Sequence, residues 1–98
     1  MVRHIVIWKL NDAAREKGAK AVVEHLQAEF DNVVGKIDGM LMAKVSPNLA
    51  EGDYDIMLYS EFTDFEAVKA YQPHPLHQAI KKIVAGYTTD RVAFDAQA

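Results

Sequence analysis

Val2-Arg3-His4-Ile5-Val6-Ile7-Trp8-Lys9-Leu10 opens the chain with an alternation whose two sides are both largely apolar. His4, Val6 and Trp8 fall on one face of an extended strand, Ile5 and Ile7 on the other. A strand with one face in water alternates apolar with polar residues, so this pattern predicts a strand covered on both faces. Outward from it, Ala19, Val22, Val23, Leu26, Phe30, Val33 and Val34 recur at steps of three and four, the stripe of an amphipathic helix that Gly35 closes. Lys20, Glu24, Gln27 and Asp31 form its exposed face. A second strand reads from Ile37 to Ser46 and stops at Pro47-Asn48; after the Glu51-Gly52-Asp53 loop, Tyr54 to Phe62 reads as a third strand paired with it as a hairpin. Thr63-Asp64-Phe65-Glu66 matches a capping box, which starts a short helix running to Tyr71. A further helix buries Leu76, Ile80, Ile83 and Val84 and ends at Gly86, and Tyr87 to Asp95 makes the last strand.

Strand, helix, strand, strand, helix pair, strand is the order of the ferredoxin-like split βαβ arrangement. The predicted fold class is α+β: a four-stranded antiparallel sheet with helices on one face, in one domain over residues 1–98. Helices cover one face only, yet Val6, Trp8, Ile56 and Leu58 on the first and third strands call for a second cover. A second copy of the same sheet is the simplest one, giving a homodimer through the sheet face, a dimeric α/β barrel whose lumen holds a small ligand.

Composition narrows the function. Half of the residues are hydrophobic and 26% are charged, as in a globular protein rather than a disordered one. The net charge of -3, with Lys and Arg scattered and no basic run, argues against nucleic acid as a partner. No apolar run approaches the ~20 residues of a membrane span, and no signal-peptide pattern opens the chain, so the expected location is the cytoplasm. With no cysteine there is no disulfide, thiolate nucleophile or thiolate metal site. Imidazole, carboxylate and phenol remain for chemistry.

Those groups concentrate in Tyr71-Gln72-Pro73-His74-Pro75-Leu76-His77. Pro73 and Pro75 push Gln72 and His74 toward extended geometry, and Pro75 suits the first position of a helix, with His74 near the cap and His77 in the first turn. Tyr71 then approaches the start of the next helix.

Arg3-His4-Ile5-Val6-Ile7-Trp8-Lys9, the strand from Asp55 through Phe62, and Tyr71 followed by His74-Pro75-Leu76-His77 together resemble the stress-responsive dimeric α/β-barrel (Dabb) family over nearly the whole chain. The resemblance implies a ferredoxin-like protomer in a barrel dimer. The family includes plant stress proteins, bacterial members without assigned activity, and a plant polyketide cyclase that condenses a linear tetraketide by an aldol reaction. By that resemblance His77 is the candidate general base and Tyr71 either orients His77 or hydrogen-bonds the developing enolate, with no cofactor. The His74-x-x-His77 spacing could place two imidazoles on one metal, but no third ligand lies nearby in the sequence, so no metal site is expected. His4 matches a cavity histidine of the cyclase, and His4, Val6, Trp8, Ile56 and His74 are the candidate substrate contacts. A further cavity histidine of the cyclase falls on Ile56 here, or on Asp55 with a gap, so the same substrate does not follow.

Each residue also has a structural reading. His77 serves as a helix cap or polar filler, His74 as an N-cap, Tyr71 as a core tyrosine with one hydrogen bond, and His4 and Trp8 as dimer packing. His25 is expected on the margin of its helix without a specific role. The functional expectation is therefore a small-molecule-binding protein or cofactor-independent enzyme transferring protons on a carbonyl or polyketide-like compound. Its alternatives are a non-enzymatic stress-responsive barrel and, by fold analogy, a cofactor-free monooxygenase or lactone isomerase. A cavity open as far as His77 favours the first; an interior filled by Trp8, Met42 and Ile56 favours the second.

Overall fold

In the computed structural model, which describes residues 1–98, the opening strand β1 (Val2–Leu10) pairs antiparallel on both sides. It is followed by α1 (Asp12–Lys17), α2 (Ala19–Asp31), β2 (Met40–Pro47), β3 (Ile56–Phe62), α3 (Phe65–Tyr71), α4 (Pro75–Tyr87) and β4 (Thr88–Gln97). The sheet order is β2-β3-β1-β4, and every pairing is antiparallel. This is the α+β ferredoxin-like arrangement that the element order predicts.

Register decides which side chains meet the helices. Val6 lies opposite Leu58 and Trp8 opposite Ile56, and all of them are buried against the helices together with His4, Ser60 and Phe62. The residues expected to face a partner sheet, Val6, Trp8, Ile56 and Leu58, therefore line the protomer's own core. The opposite face is formed by Ile5, Ile7, Met57 and Tyr59, with Val92 and Phe94 beside them on β4. The inference of two apolar faces stands, but the roster is exchanged, because a period of two leaves both faces of such a strand equally plausible until the helices choose one. Met42 pairs with Glu61 and joins the open face, so it fills no interior either.

The helices differ from expectation in register more than in place. Asn11 accepts a hydrogen bond from the Ala14 N–H and caps α1, a helix too short to show a periodic stripe. Asp64, not Thr63, caps α3 by accepting from the Ala67 N–H at 2.8 Å, so the cap moves by one residue and, with Ala67 at the third helical position, no reciprocal capping box forms. On α4 the buried stripe is His77, Ile80 and Val84, while Leu76 is exposed. That shift of one position turns His77 inward. Gln72, before Pro73, is helical rather than extended, because its N–H still bonds the Val68 carbonyl and ends α3. Gln27, expected in solvent, instead receives a hydrogen bond from the Val45 N–H and donates one to the Ala43 carbonyl, tying α2 to the outer edge of β2.

Gly39, at φ +80, enters β2 where α3 crosses: a Cβ there would lie 2.5 Å from Ala67 Cβ. Gly86, expected as a helix stop, lies inside α4 with open space around it. Gly39→Ala is expected to cost roughly 2–4 kcal/mol through strain and overlap, and Gly86→Ala to stabilise by about 0.5–1 kcal/mol. Urea unfolding of both variants checks the pair, and a neutral Gly39→Ala would contradict the close crossing.

Candidate functional site

The two helices that flank the proline turn bring Tyr71 and His77 together. α3 ends at Tyr71 and α4 begins at Pro75, capped by His74, whose Nδ1 accepts from the Leu76 N–H at 3.1 Å. One turn into α4, His77 folds back so that its ring stacks on Tyr71 with centroids 3.7 Å apart and planes 22° off parallel. His77 Nδ1 lies 3.1 Å from the Tyr71 carbonyl oxygen and 3.2 Å from that of Gln72. Two carbonyls can only accept, so Nδ1 carries the proton and donates to both, and Nε2 is the bare nitrogen. The phenol hydroxyl thus does not orient His77; the backbone carbonyls do.

The Tyr71 hydroxyl is itself buried and has no hydrogen-bond partner. A buried unpaired hydroxyl costs about 1–3 kcal/mol, which argues against the reading of a core tyrosine satisfied by one bond. Burial holds its ionisation well above the usual phenol range, so it stays a neutral donor. Burial also pushes His77 down to about 4, with the Lys81 ammonium acting in the same direction and the Gln72 carbonyl against it.

His4 completes the group from β1. Its ring meets Tyr71 edge to face at 5.9 Å, and its Nδ1 lies 2.6 Å from an Asp95 carboxylate oxygen on β4. Asp95 can only accept when ionised, so His4 in its neutral form also presents Nε2 as the free nitrogen. Nothing in the sequence pattern flags Asp95; the register that sets it opposite His4 exists only once β4 pairs with β1.

These side chains line a cavity of about 290 Å³ between sheet and helices. Its walls are Val6, Trp8, Phe30, Leu58, Ile80 and Val84; His4, Tyr71 and His77 lie among them, and Lys81, Ala85, Thr88 and Arg91 complete the lining. Among the candidate contacts, His4, Val6 and Trp8 reach it, and Ile56 and His74 do not. Ile56 is buried toward the β2–β3 end of the sheet, and His74 is spent on its helix cap. Asp55, the alternative to Ile56, accepts from the Leu10 N–H and pairs with Arg15, outside the cavity. The cavity therefore belongs to one protomer and is not the lumen between two sheets. No group of three or more His, Cys, Asp or Glu side chains is disposed to hold a metal ion.

The family model of the stress responsive A/B barrel domain (Dabb) matches residues 2–98. The chain belongs to the Dabb family. Among solved structures, this Dabb chain is similar to a dimeric protein of unknown function with a ferredoxin-like fold from Bacteroides fragilis, at 32% identity and a TM-score of 0.84 over 99% of this chain and 95% of that one. It is similar to a dimeric ferredoxin-like protein of unknown function from Thermobifida fusca, at 26% identity and a TM-score of 0.79 over 99% and 90% of the two chains. A hydroxynitrile lyase from Passiflora edulis shares the fold at 15% identity, with a TM-score of 0.76 over 97% of this chain and 90% of that one. No curated protein matches the sequence. No helix of the Dabb chain is long and apolar enough to cross a membrane.

Because the folded state holds His77 neutral, the unfolded chain binds its proton first as pH falls. His77 is expected to lower stability progressively between pH ~6.5 and ~4, by about 3 kcal/mol across the window, and to leave it unchanged above. The difference in unfolding free energy between wild type and His77→Gln, followed against pH, measures this; a flat difference would contradict the buried neutral ring.

Proposed function

We propose that the cavity between sheet and helices binds a small carbonyl compound and moves a proton at the carbon beside its carbonyl, using His77 and Tyr71 and no cofactor. The observation that carries this reading is the buried Tyr71 hydroxyl without a partner, stacked against an imidazole whose Nε2 is also uncommitted. A ligand oxygen supplies the missing acceptor. In the reaction, His77 Nε2 takes the proton from carbon, the Tyr71 O–H donates a hydrogen bond to the enolate oxygen, and His77 returns the proton to carbon or oxygen.

Magnitudes assign the roles. An imidazole pushed down to about 4 by burial is a weak base at neutral pH, by roughly 1.4 kcal/mol for each unit. The negative charge created on the substrate beside it offsets that deficit, since a nearby anion favours imidazolium. The same burial raises the phenol's ionisation, which keeps Tyr71 a donor and excludes it as the base. His4 is a second acceptor: Asp95 sits where positive charge would develop if its ring took a proton. A filled interior would favour the competing reading, a barrel without ligand or turnover, and the open cavity reaching His77 weighs against it. The Passiflora lyase shares only the fold at its identity and lends no residue role.

A second copy covering the open sheet face belongs to the same reading. Ile5, Ile7, Met57 and Tyr59 share that face with Val92 and Phe94, which are 47% and 65% exposed. The Bacteroides and Thermobifida neighbours are described as dimeric, and a contiguous apolar face of this kind marks an association surface. Ile7→Glu is expected to convert a wild-type dimer to monomer in sedimentation velocity; a monomeric wild type would end the proposal.

The catalytic test is hydrogen exchange. Wild type should accelerate deuterium incorporation beside the carbonyl of benzylacetone above the buffer rate, followed by proton NMR. Tyr71→Phe and His77→Gln should each slow it by about a hundredfold, while Tyr71→Phe unfolds no more easily than wild type because it loses an unpaired hydroxyl. Exchange at the buffer rate in wild type, or full activity in Tyr71→Phe, would refute the assignment.

A further inference from the structure

The apolar cavity ends in a cationic rim, and we propose that Lys81 and Arg91 select ligands carrying a carboxylate on a small apolar body. This deepens the proton-transfer reading and rests on it. Lys81 stands one turn beyond His77 on α4, so both project from the same side of the helix. Arg91 stands opposite Trp8 in the β1–β4 register, on the face that the helices cover. Both side chains line the cavity, and both residues are exposed at its edge.

Neither cation has an acidic partner. The acid–base contacts of the chain are His4–Asp95, Arg15–Asp55, His25–Glu29 and Lys69–Glu66, and the cavity lining includes no Asp or Glu. In a chain of net charge -3, two unpaired cations converge on the cavity that also holds the unpaired phenol. Their fields reach the interior, since Arg91 acts on Tyr71 and Lys81 on His77. Arginine presents a planar fork that matches a carboxylate with two parallel hydrogen bonds, and lysine adds a point charge. About 290 Å³ lies at the small end of ligand sites, which run from roughly 300 to 1,000 Å³, and suits a single ring or short chain. The anionic head then rests at the rim while the apolar body extends toward Trp8, Leu58 and Tyr71.

Trp8, the chain's single tryptophan, is 6% exposed and lines the cavity, so its fluorescence reports occupancy. Hydrocinnamate and its uncharged amide, hydrocinnamamide, are titrated into the full chain at low and high salt. The acid is expected to bind about tenfold more tightly than the amide at low salt, with the advantage shrinking as salt rises. In the double variant Lys81→Gln, Arg91→Gln the acid and the amide should bind with the same affinity. Acetate, which carries the charge without the body, should bind far more weakly than hydrocinnamate. Equal binding of acid and amide, or an acid preference that survives the double substitution, overturns the cationic rim and leaves the cavity reading standing. Silence from acid and amide alike overturns both.

Discussion

The site depends on one N–H. α3 stops at a proline turn with the carbonyls of Tyr71 and Gln72 pointing away from any further helical partner, and the first turn of α4 supplies one in the ring of His77. Unpaired backbone carbonyls at a buried helix end are costly. The imidazole meets both, and in doing so it is fixed in one tautomer, laid flat on the Tyr71 ring and turned toward the sheet. The Tyr71 carbonyl also takes the His74 N–H, and Gln78 donates to the Gln72 carbonyl, so the turn is braced on several sides. Chemistry and chain reversal are thus served by the same contact, and the structural and functional readings of His77 are not exclusive.

Much of this was legible in residue order. Spacing by three and four located α2, alternation located the strands, and proline chemistry located His74 at a cap and Pro75 at the first position of α4. What the pattern could not provide was phase. Val6 and Ile7 are equally apolar, and nothing local says which of them meets a helix; the apolar stripe of α4 likewise reads almost as well through Leu76 as through His77. The choice of sheet face moved the cavity from between two protomers to within one. Long-range register was invisible for a related reason. Asp95 and Arg91 acquire their positions only from pairing with β1 across most of the chain, and the orphaned Tyr71 hydroxyl is defined by what the fold fails to place near it.

The interior combines groups that repel charge with a rim that attracts it. His77 is held neutral by burial and Tyr71 is held protonated for the same reason, so the resting cavity carries little charge at its floor. Lys81 and Arg91 stand at its margin without counter-ions. A low-dielectric floor beneath uncompensated cations favours negative charge that develops during a reaction over charge that must be desolvated beforehand.

Gln27 carries a consequence of a different kind. Its amide occupies the Val45 N–H and the Ala43 carbonyl on the outer side of β2, groups that would otherwise be free to receive another strand. On the far side of the sheet the Arg91 N–H of β4 is likewise taken, by the Asp90 carboxylate. Bare strand margins invite edge-to-edge growth into fibres, and side chains that occupy their hydrogen-bonding groups oppose it. A side-chain amide on a neighbouring helix thereby works as a stopper against polymerisation.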